Sequence, residues 1–446
     1  MLEDDSLVKD CQNGADTLEQ AIAWVNDNRE HVRNESDGLV ADLHRSARLL
    51  EKLKSAAQRK MCVSVFGPSQ SGKSYLISAL ARGADGDLLA DFGQARPDFV
   101  SDINPEGGKE STGLVTRFTM SRPHSIPDGF PVKIRLLSEA DLVRILGNAF
   151  YEDFNHEQIP DSQPVVEILN SLAGRMIAGP GTLTQYEAED LHEYFRDNFK
   201  HCPRMQMLET YFWKRAVEMA PRLSPADRVT LFGLVWNGAQ QFNALYARLI
   251  SALGKLDFTG EAFCPLTALI PRDLSIIDVA TLAGLASTAS GSSLEIVGVN
   301  GRRATLARNE IAALTAEISI VMVNKPDDFF DHTDLLDFPG YRSRKKNTDI
   351  ERVMASEGAV EELFLRGKVA YLFERYCAER ELTSMLLCIG PGPAEVQSLP
   401  RVVDIWVRST HGDTPAHRDK RANALFFVMT KFDMEFSKKK GAAQSE

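Results

Sequence analysis

The chain has 446 residues, long enough for two or three domains, and its 43% hydrophobic and 25% charged residues describe an ordinary globular protein. Its 51 basic and 62 acidic residues leave a net charge of −11, which argues against nucleic-acid binding by phosphate neutralisation. Six scattered cysteines form no C-x-x-C pair and no His-Cys cluster, and the acidic start MLEDDSLVKD is no secretory signal, so a reduced, cytoplasmic protein is expected.

Residues 1–60 are expected to be an N-terminal helical region. Leu39, Leu43, Ala47, Leu50, Leu53 and Ala57 recur at three- and four-residue steps, which places them on one helical face. The segment NESDG at 34–38 carries cap and turn residues and predicts a break between two helices there. The period changes at MCVSVF (61–66), a compact apolar run suited to a buried strand, and a helical YLISALAR follows the next loop.

That loop reads Gly67-Pro68-Ser69-Gln70-Ser71-Gly72-Lys73-Ser74, a full match to G-x-x-x-x-G-K-[ST]. Gly67 and Gly72 let the backbone curl so that successive N–H groups point at phosphate oxygens. The following helix adds positive potential at its N-terminus, Lys73 reaches the β- and γ-phosphates, and the Ser74 hydroxyl ligates Mg²⁺. From average composition such a match arises by chance in roughly one or two chains of this length in a hundred. A strand before and a helix after make it rarer, and a nucleotide site spanning Gly67 to Tyr75 is expected.

Strands are expected at 113–120 and 131–137, closing a first nucleotide-binding part over 61–137. The pattern from 138 to about 255 is almost wholly helical, and 138–290 is expected to be a mainly helical insertion. Its Tyr211-Phe212-Trp213 cluster reads as core filling rather than as a partner patch. A second nucleotide-binding part, 291–436, opens on a hairpin with a two-residue Asn-Gly turn within 294–307. It continues with strands at 317–323, 333–340, 383–390 and 424–433, and with helices over 349–380 and 395–407. Strands alternating with helices of this length predict an α/β fold: a mostly parallel sheet with flanking helices, of the P-loop NTPase kind. The short basic runs at 342–346 and 437–441 read as solvated loops, and 437–446 as a disordered tail.

The base is selected elsewhere. LLDFPG places Asp337 and Gly340 at the end of an apolar strand, where an acidic residue holds Mg²⁺ through water and a glycine N–H faces the γ-phosphate. Asp334 interrupts the apolar run and is expected at the strand's exposed entry. FVMTKFD supplies Thr430-Lys431-x-Asp433 after another strand. A carboxylate there accepts two hydrogen bonds from guanine N1–H and N2, a pair that adenine lacks. Three elements in this order, each after its own strand, indicate a GTPase.

The arrangement resembles a dynamin-like large GTPase. The resemblance implies that TGLVTRFT (112–119) is the first switch, with Thr116 coordinating Mg²⁺ and water and Thr112 as the competing choice. Catalysis would fall to Lys73, Thr116, the Gly340 N–H and Gln70, the last filling a position where such GTPases commonly have serine. Arg117 reads as a solvated edge arginine or as a charge-stabilising arginine in a homodimer through the G domains, on the opposite strand face to Thr116. More narrowly, FGPSQSGKSYLISALAR, LLDFPGYRSR and VMTKFD resemble the putative bacterial virulence factor family of SrfC type, across essentially the whole chain. This implies a bacterial cytoplasmic protein, with delivery to a host left open and the protein partners unidentified. The end at Glu446 leaves no room after Asp433 for the last strand and helix of a G domain, so a truncated chain is expected. The leading expectation is a Mg²⁺-dependent GTPase whose switches move its helical parts. The alternatives are a nucleotide-gated scaffold with little hydrolysis and an ATPase. No basic amphipathic helix or anchor supports membrane contact, and His332, lacking a second ligand, reads as a surface residue.

Overall fold

The computed structural model describes residues 2–431 apart from 69–70, 84–85, 106–111, 158–159, 178, 180, 288–290, 341–343, 345 and 391–398. The chain starts as a helical hairpin: α1 (Leu2–Asp27), the single turn α2 (Arg29–Val32) and α3 (Ser36–Ala57). The two long arms pack along each other, and Gly14 makes room, since a Cβ there would lie 2.8 Å from Leu50 Cδ1. The break falls earlier than 34–38: Asn28 and Arg33, the latter at φ 54°, make the turn, while Ser36, Asp37 and Gly38 already belong to α3.

Next come β1 (Met61–Phe66), α4 (Lys73–Ala81), β2 (Val115–Thr119) and β3 (Val132–Leu136). Among the described residues, seven α-helices then run without an intervening strand: α5 (Glu139–Asp153), α6 (Gln163–Ala173), α7 (Gln185–Phe199), α8 (Pro203–Tyr211), α9 (Trp213–Met219), α10 (Pro225–Gly233) and α11 (Gln240–Lys255). Capping boxes start two of them, Ser138 with Asp141 at α5 and Thr184 with Glu187 at α7. Phe212 and Trp213 are buried, as bulky filling of this bundle requires, and Tyr211 is exposed. A buried ion pair ties the bundle together: Arg228 donates from Nε and Nη2 to Glu139 at 2.6 and 2.7 Å, and Tyr246 donates to the same carboxylate at 2.8 Å.

The sheet resumes with β4 (Glu261–Cys264), β5 (Ser293–Gly298) and β6 (Arg303–Ala307), followed by α12 (Arg308–Leu314), β7 (Thr315–Val321) and β8 (Thr333–Asp337). The β5–β6 turn is wider than two residues, with the Gly298 N–H donating to the Arg302 carbonyl at 2.8 Å. The expected helix over 349–380 is two, α13 (Ile350–Met354) and α14 (Ala359–Ala378), parted at Gly358, which adopts φ +72°. The last elements are β9 (Leu382–Ile389), α15 (Leu399–His411), α16 (Pro415–Arg418) and β10 (Leu425–Met429).

All ten strands form one sheet, in the order β10-β9-β1-β8-β2-β7-β3-β4-β5-β6. The expectation of a mostly parallel sheet is corrected. Four pairings are parallel (β10–β9, β9–β1, β1–β8, β2–β7) and five antiparallel (β8–β2, β7–β3, β3–β4, β4–β5, β5–β6). The reason lies in connectivity: β2 runs back beside β8, β3 and β4 close the helical excursion as antiparallel neighbours, and the hairpin extends that edge. The parallel half retains a crevice. The chain leaves β1 toward the β2 side and leaves β9 toward β10, so the loops at their carboxyl ends diverge.

Candidate functional site

The loop after β1 turns over the end of its own strand. A Cβ at Gly67 would lie 2.5 Å from the Cys388 carbonyl oxygen and 2.9 Å from Ser71 Oγ, so only hydrogen fits. Gly72 closes the loop at φ +85°, and a Cβ there would stand 3.1 Å from Thr430 Cβ. The Ser71 N–H donates back to the Pro68 carbonyl at 3.3 Å, while Ser71 Oγ is buried without a hydrogen-bond partner among the described residues. Lys73 begins α4 and is buried; its Nζ donates to the carbonyls of Gly67 at 3.3 Å and Pro68 at 2.8 Å. The ammonium therefore folds back over the loop, beside the α4 N-terminus, whose dipole favours an anion. Ser74 and Tyr75 share that first turn and are exposed, Tyr75 at 73%.

Two other segments arrive here. β8 pairs with β1 so that Val65 is opposite Asp337, which sets this carboxylate at the strand end nearest the loop. β2 runs antiparallel on the other side of β8 with Thr116 opposite Asp337. Directly opposed residues send their side chains to one face, with Cβ atoms roughly 4.5–5.5 Å apart. Both are buried, Thr116 at 1% and Asp337 at 5%. The switch threonine thus sits within a strand, whereas Thr112 makes an isolated bridge to Asp278 and is half-buried. Gly340 is buried in the coil after β8. Further on, Arg344 is no solvated loop residue: it donates to the Asn148 carbonyl at 3.2 Å and the Arg366 carbonyl at 2.9 Å.

β10 brings the third segment. The Thr430 N–H donates to the Ile389 carbonyl at 3.1 Å, and its hydroxyl is shared between the carbonyls of Ser71 and Ile389. Lys431 follows in the left-handed region at φ 55°. Ser69, Gln70 and Asp433 lie outside the described residues. Charge at the crevice is felt by Cys388, between loop and β10: burial pushes its thiol up to about 11, the Lys73 ammonium opposing and the Asp337 carboxylate adding to the rise.

The solvated reading of Arg117 is corrected: it does face away from Thr116, but its side chain is only 12% exposed and engaged within the chain. It donates to Glu317 at 2.8 and 3.0 Å, to Asp334 at 3.1 Å and to Glu381 at 2.7 Å. The same network buries Asp334, expected to be exposed, because an arginine across the strand supplies its counter-charge. Sequence reasoning also missed Cys388 and Ile389, whose carbonyls support the glycine loop and Thr430. Nothing local in LLCIG signals that role, since it follows from β9 lying between β1 and β10.

The donor set suits a hard cation. A carboxylate (Asp337) and hydroxyls (Ser74, Thr116) match Mg²⁺, which is usually held by one or two carboxylates with phosphate and water completing the shell. Among the described residues no cluster of three or more His, Cys, Asp or Glu side chains forms a protein-only metal cage, and no helix is long and apolar enough to cross a membrane.

A family model described as "putative bacterial virulence factor" matches residues 21–446. No curated protein matches the chain.

Proposed function

The chain belongs to the family described as putative bacterial virulence factors, and from that premise we propose that it is a Mg²⁺-dependent GTP-binding protein, a dynamin-like GTPase of SrfC type. One observation carries the reading. Three segments far apart in sequence, each matching a motif, converge at the carboxyl ends of strands in the parallel half of the sheet: the glycine loop after β1, Asp337 at the end of β8, and Thr430 touching the loop from β10. A chance match in one loop would not recruit the other two.

In this reading the backbone N–H groups of 67–74 and Lys73 hold the phosphates, and Lys73 exchanges its present carbonyl partners for phosphate oxygens. Mg²⁺ would neutralise phosphate charge, held by Ser74, Asp337 and Thr116. Gly340 would present its N–H to the terminal phosphate, Gln70 would orient water, and Lys431 and Asp433 would hold guanine, with Thr430 fixing their strand to the loop. The helices from α5 to α11, joined to the sheet by β3 and β4, are what nucleotide-dependent movement would displace.

The second reading, a nucleotide-gated scaffold with little turnover, rests on Thr116. A buried residue paired within β2 has less freedom to close on a nucleotide than one in a loop. Titration of the full chain with fluorescent GTP and ATP in Mg²⁺, with phosphate release measured alongside, separates these readings. GTP binding with release supports the GTPase, and binding without release supports the scaffold. ATP binding alone overturns the GTPase reading, and Lys73→Ala binding GTP as tightly as the unaltered chain overturns the loop assignment.

A further inference from the structure

No described residue of α1, α2 or α3 belongs to the apolar core, which starts at Cys62 and ends at Trp406. The hairpin seals on itself instead, burying Cys11, Ala15, Val25 and Ala47. What α3 turns toward the helical bundle is polar, with three of its side chains, Arg45, Arg48 and Lys52, charged. His44 Nδ1 lies 2.7 Å from Glu189 Oε1, Arg45 Nε donates to Glu193 at 3.0 Å, and Lys52 Nζ donates to Asp190 at 2.8 Å. Arg48, 8% exposed, spans the seam, pairing with Glu189 through Nη1 and with Glu193 at 2.7 Å through Nη2. The donors recur along α3 at one-, three- and four-residue steps, and all three acceptors belong to α7, so two helical faces meet as a ladder of opposite charges. The ring contact at this seam is His44 against Tyr186, edge-on at 5.0 Å. A second tether sits just past α3, where Arg59 pairs with Glu379 at 3.2 Å and with Glu381.

We propose that α1–α3 form a detachable arm, latched on α7 by this charge ladder and hinged at Gln58–Lys60, where the chain enters β1. Apolar burial holds a helix at any salt concentration, whereas the pairs of Arg45 and Lys52, 46% and 37% exposed, are weak and screened, with Arg48 the rung that salt reaches least. A seam made of charges is therefore reversible under conditions that leave the core intact. Opening it separates a basic stripe on α3 from an acidic stripe on α7.

Small-angle X-ray scattering of the full chain tests the latch. α1 has 26 residues and is about 39 Å long, so a swing of the arm changes the longest dimension measurably. Raising salt from about 0.1 M to about 1 M shortens the screening length from roughly 10 to 3 Å, and the longest dimension should grow by tens of Å with unchanged helix content by circular dichroism. Identical scattering at both salts overturns the proposal. Glu189→Lys with Glu193→Lys should open the arm at low salt, and adding Arg45→Glu with Arg48→Glu should close it again. A double variant that stays closed, or a fourfold variant that stays open, refutes the ionic account. The salt series on the unaltered chain keeps the test independent of how the variants fold.

Discussion

Replacing Arg117 by methionine tests the buried network beneath β2. The substitution removes a guanidinium that donates to Glu317 twice, to Asp334 and to Glu381, and leaves Arg135 and Arg59 to balance these carboxylates with Glu379. Breaking a buried ion pair from one side costs about 3–5 kcal/mol, because the abandoned charge stays out of water. For a cooperative unit of 150–250 residues that corresponds to a fall in Tm of about 10 °C. The pH dependence follows from Glu317. Burial pushes its carboxyl up, but Arg117, with Arg135 and Tyr376, overrides burial and holds it below the usual range. A carboxyl held low stabilises above the unfolded value of about 4.3 and loses that contribution as pH falls through its folded value. Without Arg117 burial dominates, the folded value rises above the unfolded one, and the penalty is greatest at high pH. The gap between the two proteins in urea unfolding, followed by tryptophan fluorescence, should therefore narrow between about pH 8 and pH 5. A loss below about 1 kcal/mol at pH 8, or one unchanged with pH, refutes the network's structural role. Loss of the proposed GTP turnover at unchanged stability would support the dimer reading of Arg117.

Thr430→Val keeps the shape beside Gly72 but removes the hydroxyl shared by Ser71 and Ile389; the expected cost is about 1 kcal/mol with weaker GTP binding in a fluorescence titration, while Thr430→Ser stays near the parent. Lys368 is buried in α14, donates to the Ala312 carbonyl at 2.8 Å, and burial pushes its ammonium down to about 7. With the folded value below the unfolded one, its penalty is full below pH 7 and is relieved as pH rises toward about 10.4, where the unfolded chain also loses its proton. Lys368→Met should raise stability by a few kcal/mol near neutral pH, with the gain shrinking in alkali, as read by denaturant midpoints across pH. A constant gain would mean that the lysine keeps its proton in both states over that range.

The loop from Gly67 to Ser74 is legible in the sequence because its pattern is contiguous: two glycines at positive φ, and a lysine at the first turn of a helix. Strands and helices were likewise readable wherever apolar period and caps agree, as at β1 and α5. Sheet direction was not. β2 carries no local mark of running against β8, and β4, four residues long, is a strand only because β3 and β5 flank it. Nor were the fates of Arg117 and Asp334 readable, since a charge in an apolar run looks exposed until a partner arrives from another strand. The chain by itself determined where a loop matching the G-x-x-x-x-G-K-[ST] pattern lies, because that pattern is contiguous in sequence. Only the tertiary structure decided that Asp337, Thr116 and Thr430 gather around the loop, and that α1–α3 meet the body through charge, because both depend on strand order and helix placement set by packing across the whole sheet.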